Sequence, residues 1–406
     1  MRGLCCALRC MICLQVGGFA CAAAQAASTL HDVLEVALQR NPDILQAGWR
    51  VDSAHGERRI AGALPNPTYL GIPGNPYQYG VSLPIDLTPE RLYRTRATRQ
   101  GEAATAFDRR DVVRLVTFNV RQGFYDLLLA DAQRALALEQ RDIFTQLLAA
   151  DSVRLRAGDI PQRDVVKTEL EVARAEGALA RSDVAVHGAR LALQALMGVT
   201  APDTGFTITG FLDSAPQLTL PLDSLLRLAL GNRPDLAVTH ALADQNRSLT
   251  SLATASLFPV PVVSAIYQST PFASGVRYAF GIAVPVPLFY WNGGERQRAH
   301  AGLAAAEVSV QRTRAQIASD VALALDAFHS ARELTQRYQS GLLQQAAAAL
   351  ESSRFAYQQG AASLLELLDA IRTYGDTRAE SYAAAHDAWV AAYALSRAVG
   401  ADIVRE

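Results

Sequence analysis

The constraint that dominates this chain of 406 residues is that it is written twice. LHDVLEVALQRNPDILQAGWRV, starting at Leu30, is matched by LDSLLRLALGNRPDLAVTHAL, starting at Leu222. YQYGVSLPIDL (77–87) matches YAFGIAVPVPL (278–288) at an offset of 201, with tyrosine, glycine, proline and last leucine in step. RAGDIPQRDVVKTELEVARAE (156–176) matches QQGAASLLELLDAIRTYGDTRAE (358–380) glycine on glycine, at an offset of 202. Three markers in one order at nearly one spacing define a tandem duplication, so each half must form the same succession of elements. The seam falls in GVTAPDTGFTITGFLDSAPQ, whose Pro, Gly and Thr content is that of a linker. The expected units are a leader over 1–26, a first repeat over 27–212 and a second over 213–406.

Within each copy the pattern predicts a helical region (about 30–64 and 222–257) ending in a proline turn, LPNP or FPVP. Two short extended stretches follow. Next comes a very long helical pattern, about 90–157 and about 294–359, with no proline inside. Its apolar residues advance by threes and fours: Val113, Val116, Val120, Phe124 and Leu127, then Val321, Leu325 and Phe328. Those steps make a coiled-coil-like seam. About 65 residues of helix would reach roughly 100 Å, far beyond the three or four turns of a globular helix. A glycine turn, at Gly158 or Gly360, then sends a second helix back.

The extended stretches alternate. Tyr77, Tyr79, Val81, Leu83, Ile85 and Leu87 share one face, against Gln78, Gly80, Ser82, Pro84 and Asp86. Tyr278, Phe280, Ile282, Val284, Val286 and Leu288 share the matching face of the second copy. Period-two alternation over about ten residues is what a lipid-facing barrel strand requires. A half-buried strand of a soluble sandwich also alternates, but no further strand-rich region exists to cover these. Four strands cannot close a barrel alone, and open edges are not tolerated in lipid, so several chains would have to pool strands.

All five cysteines (Cys5, Cys6, Cys10, Cys13 and Cys21) lie in the first 21 residues. With Arg2 and Arg9, a short apolar run and Ala24-Gln25-Ala26, that segment has the layout of a secretory signal peptide. Acylation at Cys21 is the competing reading, but Gly18-Phe19-Ala20 lacks the leucine expected three residues before the cysteine. The formal net charge of −1 does not suggest a nucleic-acid partner. The sequence has no phosphate loop, no G-x-S-x-G and no H-E-x-x-H, and its seven histidines form no ligand pair at helical spacing. WNGGE (291–295) reads as a turn and helix start. Neither enzymatic activity nor a cofactor is expected.

The paired NPDILQAGWRV and NRPDLAVTHAL segments, the strands ending in SLPIDL and AVPVPLFYWNGGE, and the turns AGDIPQRDVVKTELEVARAE and YQQGAASLLELLDAIRT together resemble the TolC-like outer-membrane efflux factor family. The compact build is most similar to its heavy-metal-efflux branch. The resemblance implies a mainly α fold with membrane β: a homotrimer whose twelve-stranded outer-membrane barrel continues into a long α-helical coiled-coil barrel across the periplasm. It implies the exit duct of a tripartite pump, joined through a periplasmic adaptor to an inner-membrane transporter of the proton-driven RND type. It implies a periplasmic gate of acidic residues just after each glycine turn, at Asp164, Glu366 and Asp369. The turn residues Ala157, Gly158 and Asp159, with Gln359, Gly360 and Ala361, would dock the adaptor. A family arginine that can lock the gate is replaced here by Ala362. The rival expectation is an exported soluble coiled-coil protein with structural or tethering work.

Overall fold

The computed structural model describes residues 27–404 except 75–76, 213–215, 219 and 269–276. The expected signal peptide and Cys21 lie outside the described residues, as does part of the seam drawn at 212/213. Two helices meeting at a proline, two strands and a long helical hairpin follow one another twice. They are α1 (Leu30–Arg40), α2 (Pro42–Gly62), β1 (Thr68–Ile72), β2 (Gln78–Pro84), α3 (Pro89–Ala157) and α4 (Gln162–Leu196). The second set is α5 (Leu222–Asn232), α6 (Pro234–Ala255), β3 (Val262–Gln268), β4 (Tyr278–Ala283), α7 (Gly293–Arg337), α8 (Leu343–Gln358) and α9 (Leu364–Val399).

Local chemistry sets the element ends. Thr29 and Asp32 form a reciprocal capping box at the start of α1. Pro42 cannot continue that helix because it lacks an N–H, so Asn41 ends α1 and caps α2, accepting from the Asp43 and Ile44 amides. The Asn41 side chain also donates to the Leu196 carbonyl at 2.8 Å, tying this joint to the end of α4. In the second copy the residue before the proline is Arg233, not asparagine. Its guanidinium is buried, and it bridges Asp235 at 2.6 Å and Asp320 of α7 at 2.8 Å.

The 69 residues of α3 form one helix, about 100 Å long at 1.5 Å per residue. Its predicted seam is the core: Val116, Val120, Phe124 and Leu127 are buried with Leu30, Val33, Leu193 and Tyr393. Val321 and Phe328 are fully buried in a second cluster with Leu225, Ile317 and Leu395. The expectation of an equally continuous helix over 294–359 is corrected. A π-turn at Tyr338–Leu342 separates α7 from α8, and within it Gly341 adopts φ 150° and ψ −22°, a backbone state that glycine supplies without a Cβ clash.

The four strands form one antiparallel sheet in the order β1-β2-β3-β4, so the β2–β3 pairing joins the two copies. Register places Tyr69, Tyr79, Val81, Leu83, Val263, Tyr267, Tyr278, Phe280 and Ile282 on one face. The other face carries Gln78, Ser82, Ser264, Gln268, Gly80, Gly281 and Ala279, interrupted by Leu70, Ile72, Val262 and Ile266. Regular strands are shorter than the ten residues expected, ending at Pro84 and Ala283. Pro285 and Pro287 remove the amides that would extend β4.

Candidate functional site

Three features position the functional surfaces: the two glycine turns, the network between the hairpins behind them, and the sheet. α3 ends because Gly158 takes a left-handed conformation (φ 83°), which lets the Asp159 amide close onto the Arg154 carbonyl at 2.9 Å. Gly360 (φ 72°) does the same after α8, with the Ala361 amide on the Ala356 carbonyl at 2.9 Å. Ala157, Gly158, Asp159, Gln359, Gly360 and Ala361 are all exposed. They form two solvent-facing tips.

The three acids proposed for a gate have different surroundings. Asp164 is 22% exposed and lies 3.7 Å from Arg163 and 3.8 Å from Lys167, so its charge is locally countered. Glu366 is exposed but half-engaged. Its carboxylate accepts from the Ser363 amide at 3.2 Å, completing the capping box that starts α9. Asp369 is exposed and makes no intrachain hydrogen bond or ion pair among the described residues.

What joins the two tips had no counterpart in the sequence reading. Asp151 of α3, fully buried, accepts from Thr168 Oγ1 of α4 at 2.8 Å and from the Tyr357 hydroxyl of α8 at 2.7 Å. Burial, then the Asp151 carboxylate, pushes the Tyr357 phenol well above its ordinary value; Asp164 adds to this and Arg154 opposes it. Arg154 also stacks on the Tyr357 ring, 4.9 Å from its centroid. One turn further in, Glu171 of α4 accepts from Arg372 of α9 and from Arg174, each at 2.6 Å. Arg378 of α9 meets Glu139 of α3 at 2.6 Å. Toward the tips, the first hairpin is thus fastened to the second by one buried carboxylate and two ion pairs. The sequence did hold one signal. Ala137, Phe144 and Asp151 step by sevens along the buried seam of α3, so the acid occupies a core position.

At the opposite end, the aromatic-aliphatic face of the sheet is bare. Phe280 is 84% exposed and Ile282 73%, although a soluble domain would cover residues of this kind. Tyr77, Tyr79, Tyr267 and Tyr278 form a chain of rings with centroids 5.2 to 6.2 Å apart. β1 and β4 each leave one edge unpaired among the described residues. No helix among the described residues is long and apolar enough to cross a membrane, and no group of three or more His, Cys, Asp or Glu side chains among them could hold a metal ion.

A duplicated helical hairpin carrying one small sheet with a bare apolar face defines a channel subunit rather than a soluble bundle. The chain belongs to the outer membrane efflux protein family, which matches residues 75–199 and 225–401, one segment in each copy. It is therefore an outer-membrane efflux channel, and the rival reading as a soluble tethering protein is set aside. The cobalt-zinc-cadmium resistance protein CzcC of Cupriavidus metallidurans is 26% identical over 381 residues, covering 92% of this chain and 90% of the relative. The cation efflux system protein CusC of Escherichia coli K12 is 27% identical over 386 residues, covering 85% and 80%. A crystal structure of CusC, 23% identical, matches the fold with a TM-score of 0.79 over 92% of each chain.

Proposed function

We propose that three copies of this chain form the exit duct of a tripartite pump that removes metal cations. The observation that carries the reading is the bare apolar face on a sheet whose two edges are open, set beside a helix, α3, about 100 Å long. Open edges must pair in lipid, and three four-stranded sheets would supply about twelve strands, a plausible barrel size. Cation traffic is supported by the relatives, whose names specify cobalt-zinc-cadmium resistance and cation efflux. The tips would receive a periplasmic adaptor, and the pump's motor would be a proton-driven RND transporter of the inner membrane. The duct itself needs no catalytic chemistry.

In this proposal Asp164, Glu366 and Asp369 ring the narrow end, and acidic rings favour cations. The Asp151–Tyr357 bond and the Glu171–Arg372 pair take the place of the missing arginine at Ala362, holding the second hairpin against the first. Planar-bilayer recording tests the assignment. The triple variant Asp164→Asn, Glu366→Gln, Asp369→Asn should lose most of its preference for potassium over chloride. Unchanged selectivity would remove these residues from the gate. Heat-dependent mobility in gels, with extraction from outer membranes by detergent alone, tests the trimer.

A further inference from the structure

Where the end of α9 lies against the middle of α3, four arginines surround a cavity of about 240 Å³. Arg110, Arg114 and Arg121 line one face of α3 and Arg397 projects from α9. Two of the four are compensated. Arg114 is paired with Asp111 at 2.7 Å and also donates to the Arg397 carbonyl at 2.6 Å. Arg121 is paired with Asp402. The other two form no ion pair among the described residues, although Asp402 also lines the cavity: Arg397 stacks over the Phe118 ring at 4.2 Å and Arg110 over Phe107 at 5.4 Å. The Nε of Arg121 is buried with no acceptor. Burial first, and then the neighbouring Arg114 and Arg233, hold the Arg397 pKa below its ordinary value, with Asp320 opposing.

A half-buried guanidinium without a counter-charge is costly. An anion in the cavity relieves that cost for Arg397. We propose that this cavity binds a small oxyanion of the phosphate class, held by Arg397 and Arg110. A tetrahedral oxyanion offers acceptors in several directions at once, which suits forks arriving from two helices. Bound there, it clamps the last turn of α9 to α3 at a point remote from the tips.

The test is thermal unfolding of the full-length protein in detergent, titrated with inorganic phosphate at an ionic strength held constant with sodium chloride. The unfolding midpoint rises and saturates with phosphate. Arg397→Met raises the half-saturating concentration by about tenfold, the loss expected for one charge-assisted contact. Arg110→Met, at an exposed position, shifts it in the same direction and serves if the first variant does not fold. A midpoint indifferent to the exchange of chloride for phosphate overturns the proposal. So does a saturation curve unaltered in both variants. If phosphate has no effect and Arg397→Met instead dissociates the oligomer, a carboxylate of a neighbouring copy fills the cavity, and the free-anion site is wrong.

Discussion

The two copies share an order of elements but are held together by different means. The first copy is spanned by α3 without a break, whereas its counterpart is interrupted at Tyr338–Leu342 by the π-turn around Gly341. The joint before α2 is a neutral cap, Asn41, while the joint before α6 is a buried arginine between two aspartates. At the tips, α9 starts with the Ser363–Glu366 capping box, but α4 starts after Pro161 with no side-chain cap. A duplicated sequence thus keeps its backbone plan while its polar fastenings diverge. The first hairpin is built as a rigid strut. The second is interrupted between its core and its tip, and toward the tip it is attached to the first through Asp151, Glu171 and Glu139.

The largest effect that would break this comparison lies at the joints. Removing Arg233 takes the buried bridging cation from between Asp235 and Asp320, with only the more distant Arg114 and Arg397 left near them, which should cost about 3 kcal/mol. The same position in the first copy should cost less, about 2 kcal/mol in Asn41→Ala, for the loss of the cap and of the bond to the Leu196 carbonyl. Unfolding midpoints of the two variants measured side by side check the ratio; equal losses would show the joints to be equivalent.

Next comes the fastening between the hairpins. Tyr357→Phe removes one of the two donors to buried Asp151, and about 1–3 kcal/mol is expected for leaving that carboxylate short of a partner. Because the lost bond joins the two hairpins, single-channel current should rise as well. A variant that is destabilised yet conducts like the parent would mean that the bond supports the core without restraining the tips.

A smaller effect is expected at the interruption. Gly341→Ala places a Cβ on a backbone at φ 150°, at a cost of about 1 kcal/mol if the turn is retained. Should the turn instead rewind into α-helix, the loss will be smaller and the Tyr338–Glu380 hydrogen bond of 2.7 Å will be displaced. Amide exchange across 335–345 separates the two outcomes.

The smallest effect depends on pH. His386 of α9 lies between Asp126 of α3 at 2.7 Å and Asp387 at 3.0 Å. Burial acts to lower its pKa, but the two carboxylates outweigh burial and raise it above the ordinary value. A histidine whose folded pKa exceeds the unfolded value, about 6.5, contributes fully below that value. The contribution is lost as pH rises through the folded pKa. The stability difference between the parent and His386→Gln should therefore be largest below about pH 6.5 and shrink on going alkaline. A difference that grows with pH would reverse the sign of this contact.

Much of the architecture was legible because it rests on periodicity. Steps of three and four from Val113 to Leu127 gave α3, Gly158 and Gly360 gave the turns, and alternation around Tyr79 and Phe280 gave the bare face of the sheet. Proline at 42 and 234 marked both joints. The break at Gly341 was not legible, since one glycine among helix formers gives no period change over so short a span. Glu366 and Asp369 stand three residues apart, a spacing that puts both on one helix face. Only the structure showed that Glu366 is engaged in capping while Asp369 stands free.

The sequence by itself determined the duplication, the length of α3 and the order of elements, because these follow from local hydrogen bonding and side-chain spacing that each segment carries within itself. Tertiary structure alone decided which polar groups meet. Asp151 and Tyr357 lie 206 positions apart, and Arg233 and Asp320 lie 87 apart. Such pairs depend on which helix faces come into contact, a property of the packed assembly that no single stretch of chain encodes.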